Sequence, residues 1–389
     1  MDTTSFLGSA FLIFTGAAAL STLALATRQP LIVAYIALGG LFGPFGLGLM
    51  NDTGLVVDIG HAGIIFLLFL LGLDMQPAHV MRMLRKTAIV GLLTSAIFAV
   101  VGYVVAFIFG FSGSESMVIG LAMMFSSTII GIKLLPTTVL HHKHTGELLV
   151  SLLLLQDILA ILVLLVLRNT SMLTGDCLSL VKTVSVLPLL FLGAWLFVRY
   201  GLLALMARYD RFQEYIFLLA IGWCLGLSEL ARGLGLSAEI GAFIAGVTIA
   251  TSPVAQFIAI SLKPLRDFFL ILFFFAVGAS FNISLLDEVL LPSIVLSAIC
   301  LSVKPVVFWF FLRRVSERRR TAWEVGVRLG QNSEFALLIA NVATAQLLID
   351  NVASHLIQAV TIITLLFSSY LVVFRYESPI ALADDLRRD

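Results

Sequence analysis

Residues 151–167 read SLLLLQDILAILVLLVL. The run is apolar apart from its opening Ser151 and the adjacent pair Gln156 and Asp157. A bilayer core of roughly 30 Å is crossed by about 20 apolar residues in helical conformation. Asp157 lies ten residues past Glu147 and eleven before Arg168, which places it roughly 15 Å from either end at about 1.5 Å per residue. An ionisable group at that depth costs about 2.5–3.5 kcal/mol on insertion scales and points to function rather than packing.

The whole chain carries the same bias. Of 389 residues, 60% are hydrophobic and 12% charged, against about 25% charged in a soluble domain. Mean hydropathy is +1.07. A soluble globular protein is excluded, and thirty Phe with long aliphatic runs exclude a disordered chain. Lys and Arg number 24 against 23 Asp and Glu, a net charge of +1 with no nucleic-acid-binding excess. Cys177, Cys224 and Cys300 have no CxxC or zinc spacing and read as small apolar packing residues. No Walker A, CxxCH or HExxH motif is present. No catalytic residue, cofactor or resident metal is therefore assigned, and the chain reads as a transporter rather than an enzyme.

Polar and turn-forming punctuation divides the chain into thirteen expected spans, at about 5–27, 30–50, 55–73, 86–110, 116–138, 146–168, 181–207, 214–232, 236–255, 265–283, 289–315, 321–348 and 353–376. The fold class is an all-α membrane protein; a membrane β-barrel would need short alternating strands. The first span opens MDTTS, without the basic start of a secretory signal. The loops after odd-numbered spans, with the C-terminus, hold seventeen Lys and Arg, and the opposite loops hold three. The positive-inside bias places the N-terminus outside and the C-terminus in the cytoplasm.

A repeat recurs at an offset of 206 residues. Phe69 and Gly72 match Phe275 and Gly278, and Ser126, Ser127 and Thr128 match Asn332, Ser333 and Glu334. Gly39, Gly40 and Gly43 face Gly241 and Gly246 at an offset near 203. Spans two to six thus map onto nine to thirteen. The shift of seven spans is odd, so the two halves have opposite topology, as in many transporters.

Three further features lie far from any loop. Lys304, followed by Pro305, is nine residues from Arg313, about 13 Å along a helix and beyond the reach of a snorkelling side chain. A structural counter-charge and direct transport chemistry both fit it. The polar stretches Phe125–Thr128 and Gly330–Phe335 interrupt apolar spans, and unwound backbone at membrane depth is tolerated only where it is buried in protein or lines a cavity. His141, His142 and His144 read as a solvated loop, with pH sensing as the lesser reading because histidine titrates in the physiological range. Lys133 reads as snorkelling, and Glu229, Arg232 and Glu239 as interfacial.

At this point the residues resemble a family. Gln156–Asp157 in an apolar helix is similar to the Gln-Asp motif of Kef-type transporters, in the cation:proton antiporter superfamily. FSSTII at 125–130, LSAEIGAFIAGV at 236–247, PLRD…LFFFAVGASFN at 264–282 and GQNSEFA at 330–336 resemble the same branch, in the family's order. The resemblance implies two inverted repeats with crossed discontinuous helices. It implies a dimerisation part at about 1–75 and 214–283, a linker helix at about 181–207, and an ion-binding core at about 86–168 and 289–376. It further implies a homodimer, elevator-like motion of the core, and a bacterial inner-membrane location. Two departures stand out. The family's second break usually reads Gln-Gly-Gly-Glu, and here Asn332 and Ser333 replace the glycines. Many Kef-type chains continue into a cytoplasmic nucleotide-binding domain; the resemblance leaves two alternatives, a subfamily without that domain or a regulatory domain or subunit as a partner outside this chain.

The expected activity is exchange of a monovalent cation, K⁺ ahead of Na⁺, for H⁺ across the bilayer, with one carboxylate carrying one charge and hence electroneutral. Asp157 is the exchanging anion, and Gln156, Ser126, Ser127 and Thr128 complete the ion and proton site. Lys304, Glu334, Asn332 and Ser333 compensate charge around the broken helices. A channel-like cation pathway and a sodium-coupled solute symporter on a related fold are the alternatives.

Overall fold

The computed structural model describes residues 6–27, 29, 31–50, 54–74, 77–133, 144–168, 177–209, 211–282 and 285–376, and among these the regular structure is helical throughout. The first half contains α1 (Phe6–Ala26), α2 (Leu31–Phe42), α3 (Gly54–Asp74), α4 (Pro77–Ile108), α5 (Gly113–Met123), α6 (Thr128–Lys133) and α7 (His144–Arg168). Then come α8 (Cys177–Phe197), a π-helical turn (Val198–Leu202) and α9 (Leu203–Arg208). The second half contains α10 (Gln213–Gly233), α11 (Ala238–Ala250), α12 (Val254–Ala279), α13 (Leu286–Arg314), α14 (Arg319–Arg328), α15 (Glu334–Ala345) and α16 (Asn351–Arg375). Seven of the described stretches are long and apolar enough to cross a membrane.

Among the described residues the helices overlap the expected spans, and the larger edge differences are at α2, at α4, which begins at Pro77, nine residues before its expected start, and at α12. α2 stops at Phe42, because Gly43, Gly46 and Gly48 follow, and Gly48 takes φ 63°. α12 begins at Val254, eleven residues before the expected start, and carries Pro264 inside it. The ring removes one amide donor but leaves the flanking turns in place.

The chain forms two compact units. One comprises residues 53–81 and 164–276. Within it Gly72 of α3 and Gly246 of α11 bring two backbones together: a Cβ on Gly246 would run into Phe69 O, and one on Gly72 would stand 2.5 Å from Phe243 O. Phe66 stacks on Phe269 at 5.2 Å. The other unit comprises residues 1–52, 82–163 and 277–389. There Gly278 meets α2, since a Cβ on it would strike Ile36 O. Its aliphatic core joins α4, α7, α13 and α14 through Val90, Phe98, Leu152, Leu153, Phe308 and Val325. That core fixes the turn of α7 from which Gln156 and Asp157 project.

Gly246→Val is expected to lower the thermal unfolding midpoint in detergent, since overpacking of this kind costs about 1–3 kcal/mol. Gly226→Ala, in α10 with nothing within 4 Å of its Cβ position, is expected to be neutral or to raise it, because alanine favours the helix by about 1 kcal/mol.

Candidate functional site

The larger unit contains two interrupted helices. α5 ends at Met123 and α6 starts at Thr128; α14 ends at Arg328 and α15 starts at Glu334. The polar residues at the breaks explain why the chain unwinds there and then resumes. Ser127 Oγ accepts from Ile130 N–H at 3.2 Å, and Ser333 Oγ accepts from Phe335 N–H at 3.2 Å. Both serines therefore cap the helix that follows, a contribution of about 1 kcal/mol each. They stand 206 residues apart.

The two breaks hold one another. Ser126 Oγ donates to Leu329 O at 2.8 Å, and Gln331 Nε2 donates to Ser127 O at 3.4 Å. Gln156 braces the first break: its Oε1 accepts from Ser126 N–H at 3.0 Å and its Nε2 donates to Met124 O at 3.4 Å. Asn332, with its amide nitrogen toward the carbonyls, donates to Ala122 O and Phe125 O and accepts from Thr361 Oγ1, each at 3.1 Å. Its own N–H donates to Thr364 Oγ1 at 3.0 Å, and Ser368 Oγ donates to Gln331 Oε1 at 2.9 Å.

Charge follows the helix ends. Lys304 is 1% exposed and donates from Nζ to Phe125 O at 2.8 Å and to Gln331 O at 3.1 Å. One ammonium thus serves the carbonyl-rich side of both breaks. Its Nζ also lies 5.4 Å from the Phe98 ring centroid. Phe125 and Gln331 are 206 residues apart, and so are Phe98 and Lys304. The opposite, amide-rich ends carry acid. Glu334 opens α15 at 7% exposure, where a carboxylate opposes the positive end of the helix dipole. Asp157 is 1% exposed, and Thr128 Oγ1 lies 3.1 Å from each of its oxygens. Glu334 is within electrostatic reach of Asp157.

All nine residues expected at the ion site or its charge compensation thus fall in one cluster, buried except for the half-buried Thr128, with Gln156 and Asn332 bracing backbone and Ser127 and Ser333 capping helices. Sequence reading missed Thr361, Thr364 and Ser368, whose spacing puts them on one face of α16, and Phe98, which the 206-residue interval from Lys304 would have found. It also missed Arg328, buried and paired with Glu324 at 3.0 Å. Glu229 and Arg232 form an exposed pair at 2.6 Å, whereas Glu239, expected at the interface, is buried in the first turn of α11. His144 opens α7 and contacts Glu317 at 2.9 Å. Cys224 and Cys300 are buried and unbridged. His141, His142 and the side chains of Lys133 and Cys177 lie outside the described residues. Among the described residues no group of three or more His, Cys, Asp or Glu is arranged to hold a metal ion.

The sodium/hydrogen exchanger family, in its transmembrane part, matches residues 10–374. K(+) efflux antiporter 4 of Arabidopsis thaliana is 31% identical over 349 residues, covering 87% of this chain and 58% of that protein. Iron transporter MagA of Paramagnetospirillum magneticum is 27% identical over 346 residues, covering 88% of this chain and 79% of that protein. The chain thus spans less than two thirds of the K(+) efflux antiporter. The solved structure of the sodium proton antiporter MjNhaP1 from Methanocaldococcus jannaschii at pH 8 has a TM-score of 0.73 at 16% identity, covering 96% of this chain and 97% of that one, a likeness of fold.

Lys304→Met is expected to destabilise the protein by about 2 kcal/mol or more, because two buried carbonyls lose their shared donor. Thermal unfolding in detergent checks this, with the exposed Ser302→Ala, whose hydroxyl bonds only within its own helix, unchanged.

Proposed function

The chain belongs to the sodium/hydrogen exchanger family as a Kef-like cation:proton antiporter, and from that premise we propose that it exchanges K⁺, ahead of Na⁺, for H⁺ through the single carboxylate of Asp157. The observation that carries this reading is the setting of Asp157: a fully buried carboxylate beside a break in a helix, with one hydroxyl, Thr128, shared between its two oxygens. Burial in a medium of low dielectric disfavours a bare anion, so Asp157 holds either a proton or a cation. Oxygen ligands suit a hard, partly dehydrated monovalent ion. Asp157 supplies the charge, and Thr128, Ser127 and unwound carbonyls complete the shell, with Ser126 and Gln156 holding the break in register.

Lys304 and Glu334 keep fixed charges through the cycle in this reading. The ammonium stays on the two carbonyls it bridges and the Glu334 carboxylate stays on the first turn of α15. One carboxylate then alternates between one proton and one cation, and exchange is electroneutral. The 206-residue interval supports an inverted-repeat origin, because the partners of Lys304 and the two capping serines all fall on it. That origin goes with thirteen spans, an elevator movement of the core, a homodimer, and a C-terminus in the cytoplasm. The name of the K(+) efflux relative supports K⁺ as cargo. The iron-transporter relative raises a divalent cargo as a second reading. Transition metals are commonly held by groups of imidazole, thiolate or carboxylate, and the described residues offer no such group of three, which favours the monovalent cargo.

In proteoliposomes Asp157→Asn is expected to abolish cation-driven proton movement while leaving the thermal unfolding midpoint within a few degrees of the native value, since a buried amide is cheaper than a buried charge. Substantial exchange by this variant would defeat the reading.

With the pH gradient clamped to zero, an imposed membrane voltage is expected to drive no net K⁺ accumulation. Voltage-driven accumulation would mean that a second group changes charge, and Glu334→Gln or Lys304→Gln would then identify it by removing the response.

A further inference from the structure

Arg328 is the last residue of α14, and its side chain is among the largest that the protein buries fully. A cation at that depth needs compensation, and it comes from two directions. Glu324, one turn earlier, accepts on one oxygen from Nε at 3.1 Å and from Nη2 at 3.0 Å. Tyr376, which follows the last residue of α16, presents its ring to the guanidinium, with Cζ 5.4 Å from the centroid. That is a cation–π distance, so the clasp joins the end of α14 to the end of α16.

The turn held in this way is the one from which the second break departs. Leu329 N–H donates to Val325 O at 3.0 Å and Gly330 N–H to Val327 O at 3.2 Å, so the first residues of the break are bonded back to α14. Leu329 O accepts from Ser126 Oγ, and Ser126 N–H is held by Gln156 Oε1, next in sequence to Asp157. Gln331 O accepts from Lys304 Nζ. The same turn rests on α13, where a Cβ on Gly326 would stand 2.6 Å from the carbonyl oxygen of Pro305, the neighbour of Lys304. With Gly326 seated there, the clasp to α16 governs the movement left to the turn.

We propose that Arg328 is a positioning residue for the exchange site: clasped by Glu324 and the Tyr376 ring, it fixes the last turn of α14 and so keeps the two breaks in register through Leu329 O and Gln331 O. The role rests on the reading of Asp157 as the exchanging carboxylate. Arginine suits it because a planar guanidinium gives two hydrogen bonds to a carboxylate while laying its face on a ring, which an ammonium does not. A loosened turn leaves the breaks to be ordered when the ion binds, and that ordering lowers affinity.

The test pairs hydrogen–deuterium exchange with K⁺ kinetics in proteoliposomes, on Tyr376→Phe, Tyr376→Leu, Arg328→Met and the double variant Tyr376→Leu with Arg328→Met. Tyr376→Phe keeps the ring and is expected to match the native chain. Tyr376→Leu, at a half-buried position, should speed amide exchange at residues 329–333 about tenfold. It should also raise the apparent KM for K⁺ about fivefold with kcat retained. The double variant should go no further than Arg328→Met alone, because the ring acts only through the guanidinium. If Arg328→Met does not fold, Tyr376→Leu against Tyr376→Phe decides. Amide exchange reads the clasp independently of what the chain transports, so failure of the Asp157 reading and failure of the clasp are told apart. Unchanged amide exchange in Tyr376→Leu, a KM that moves equally in Tyr376→Phe, or a lowered unfolding midpoint with KM unchanged overturns the inference.

Discussion

One ammonium holds the centre of the larger unit together. Lys304 Nζ bridges Phe125 O and Gln331 O, and these carbonyls lie just past the C-terminal ends of two half-helices. Each such end carries roughly −0.5 elementary charge, so two of them together match one lysine. Two charge-assisted hydrogen bonds and the Phe98 ring offset what would otherwise be a costly buried cation. The remaining features follow from that pairing. With the C-terminal ends neutralised in one place, the two resumed helices can open onto acid, Glu334 directly and Asp157 through Thr128. The serine caps, the Gln156 and Asn332 amides and the hydroxyls of α16 then satisfy the unwound backbone between them.

This arrangement separates two duties of charge. Lys304 and Glu334 are bound up with helix ends and are poor candidates for a group that changes charge each cycle. Among the described residues Asp157 has one hydroxyl neighbour and no ion-pair partner, so there its charge is the least compensated in the cluster. On the proposed reading that imbalance is the mechanism: the site is neutral only when a proton or a monovalent cation is present. The Asn332–Ser333 pair, at the positions where the resemblance leads one to expect glycines, adds side-chain hydrogen bonds to the second break. Asn332 binds carbonyls of α5 and the hydroxyls of α16, and Ser333 caps α15.

Much of this was legible in the chain because burial of charge is so costly in an apolar span. Asp157, Lys304 and the two polar breaks stood out against Leu and Ile for that reason alone, and the 206-residue interval tied one break to the other through residue identity and spacing. The bracing role of Gln156 was not legible, since an amide reads equally well as an ion ligand or as a backbone partner. Thr361, Thr364 and Ser368 were lost because single hydroxyls in an apolar helix usually bond to their own turn, as Thr364 Oγ1 to Thr361 O illustrates. Glu239 looked interfacial from its position beside a turn, whereas the N-terminus of α11 holds it inside. Edge errors at α2 and α12 came from glycines and a proline, whose effect on a helix depends on what packs against it.

The central claim is that cation and proton occupy one carboxylate by turns. Calorimetric titration of the purified protein with K⁺ and Na⁺, in buffers of different ionisation enthalpy at a pH where Asp157 is protonated, measures protons released per cation bound. Displacement from a single site predicts a value approaching one for the transported ion, and loss of both binding and release in Asp157→Asn. Cation binding with no proton release, or release undiminished in Asp157→Asn, would contradict it.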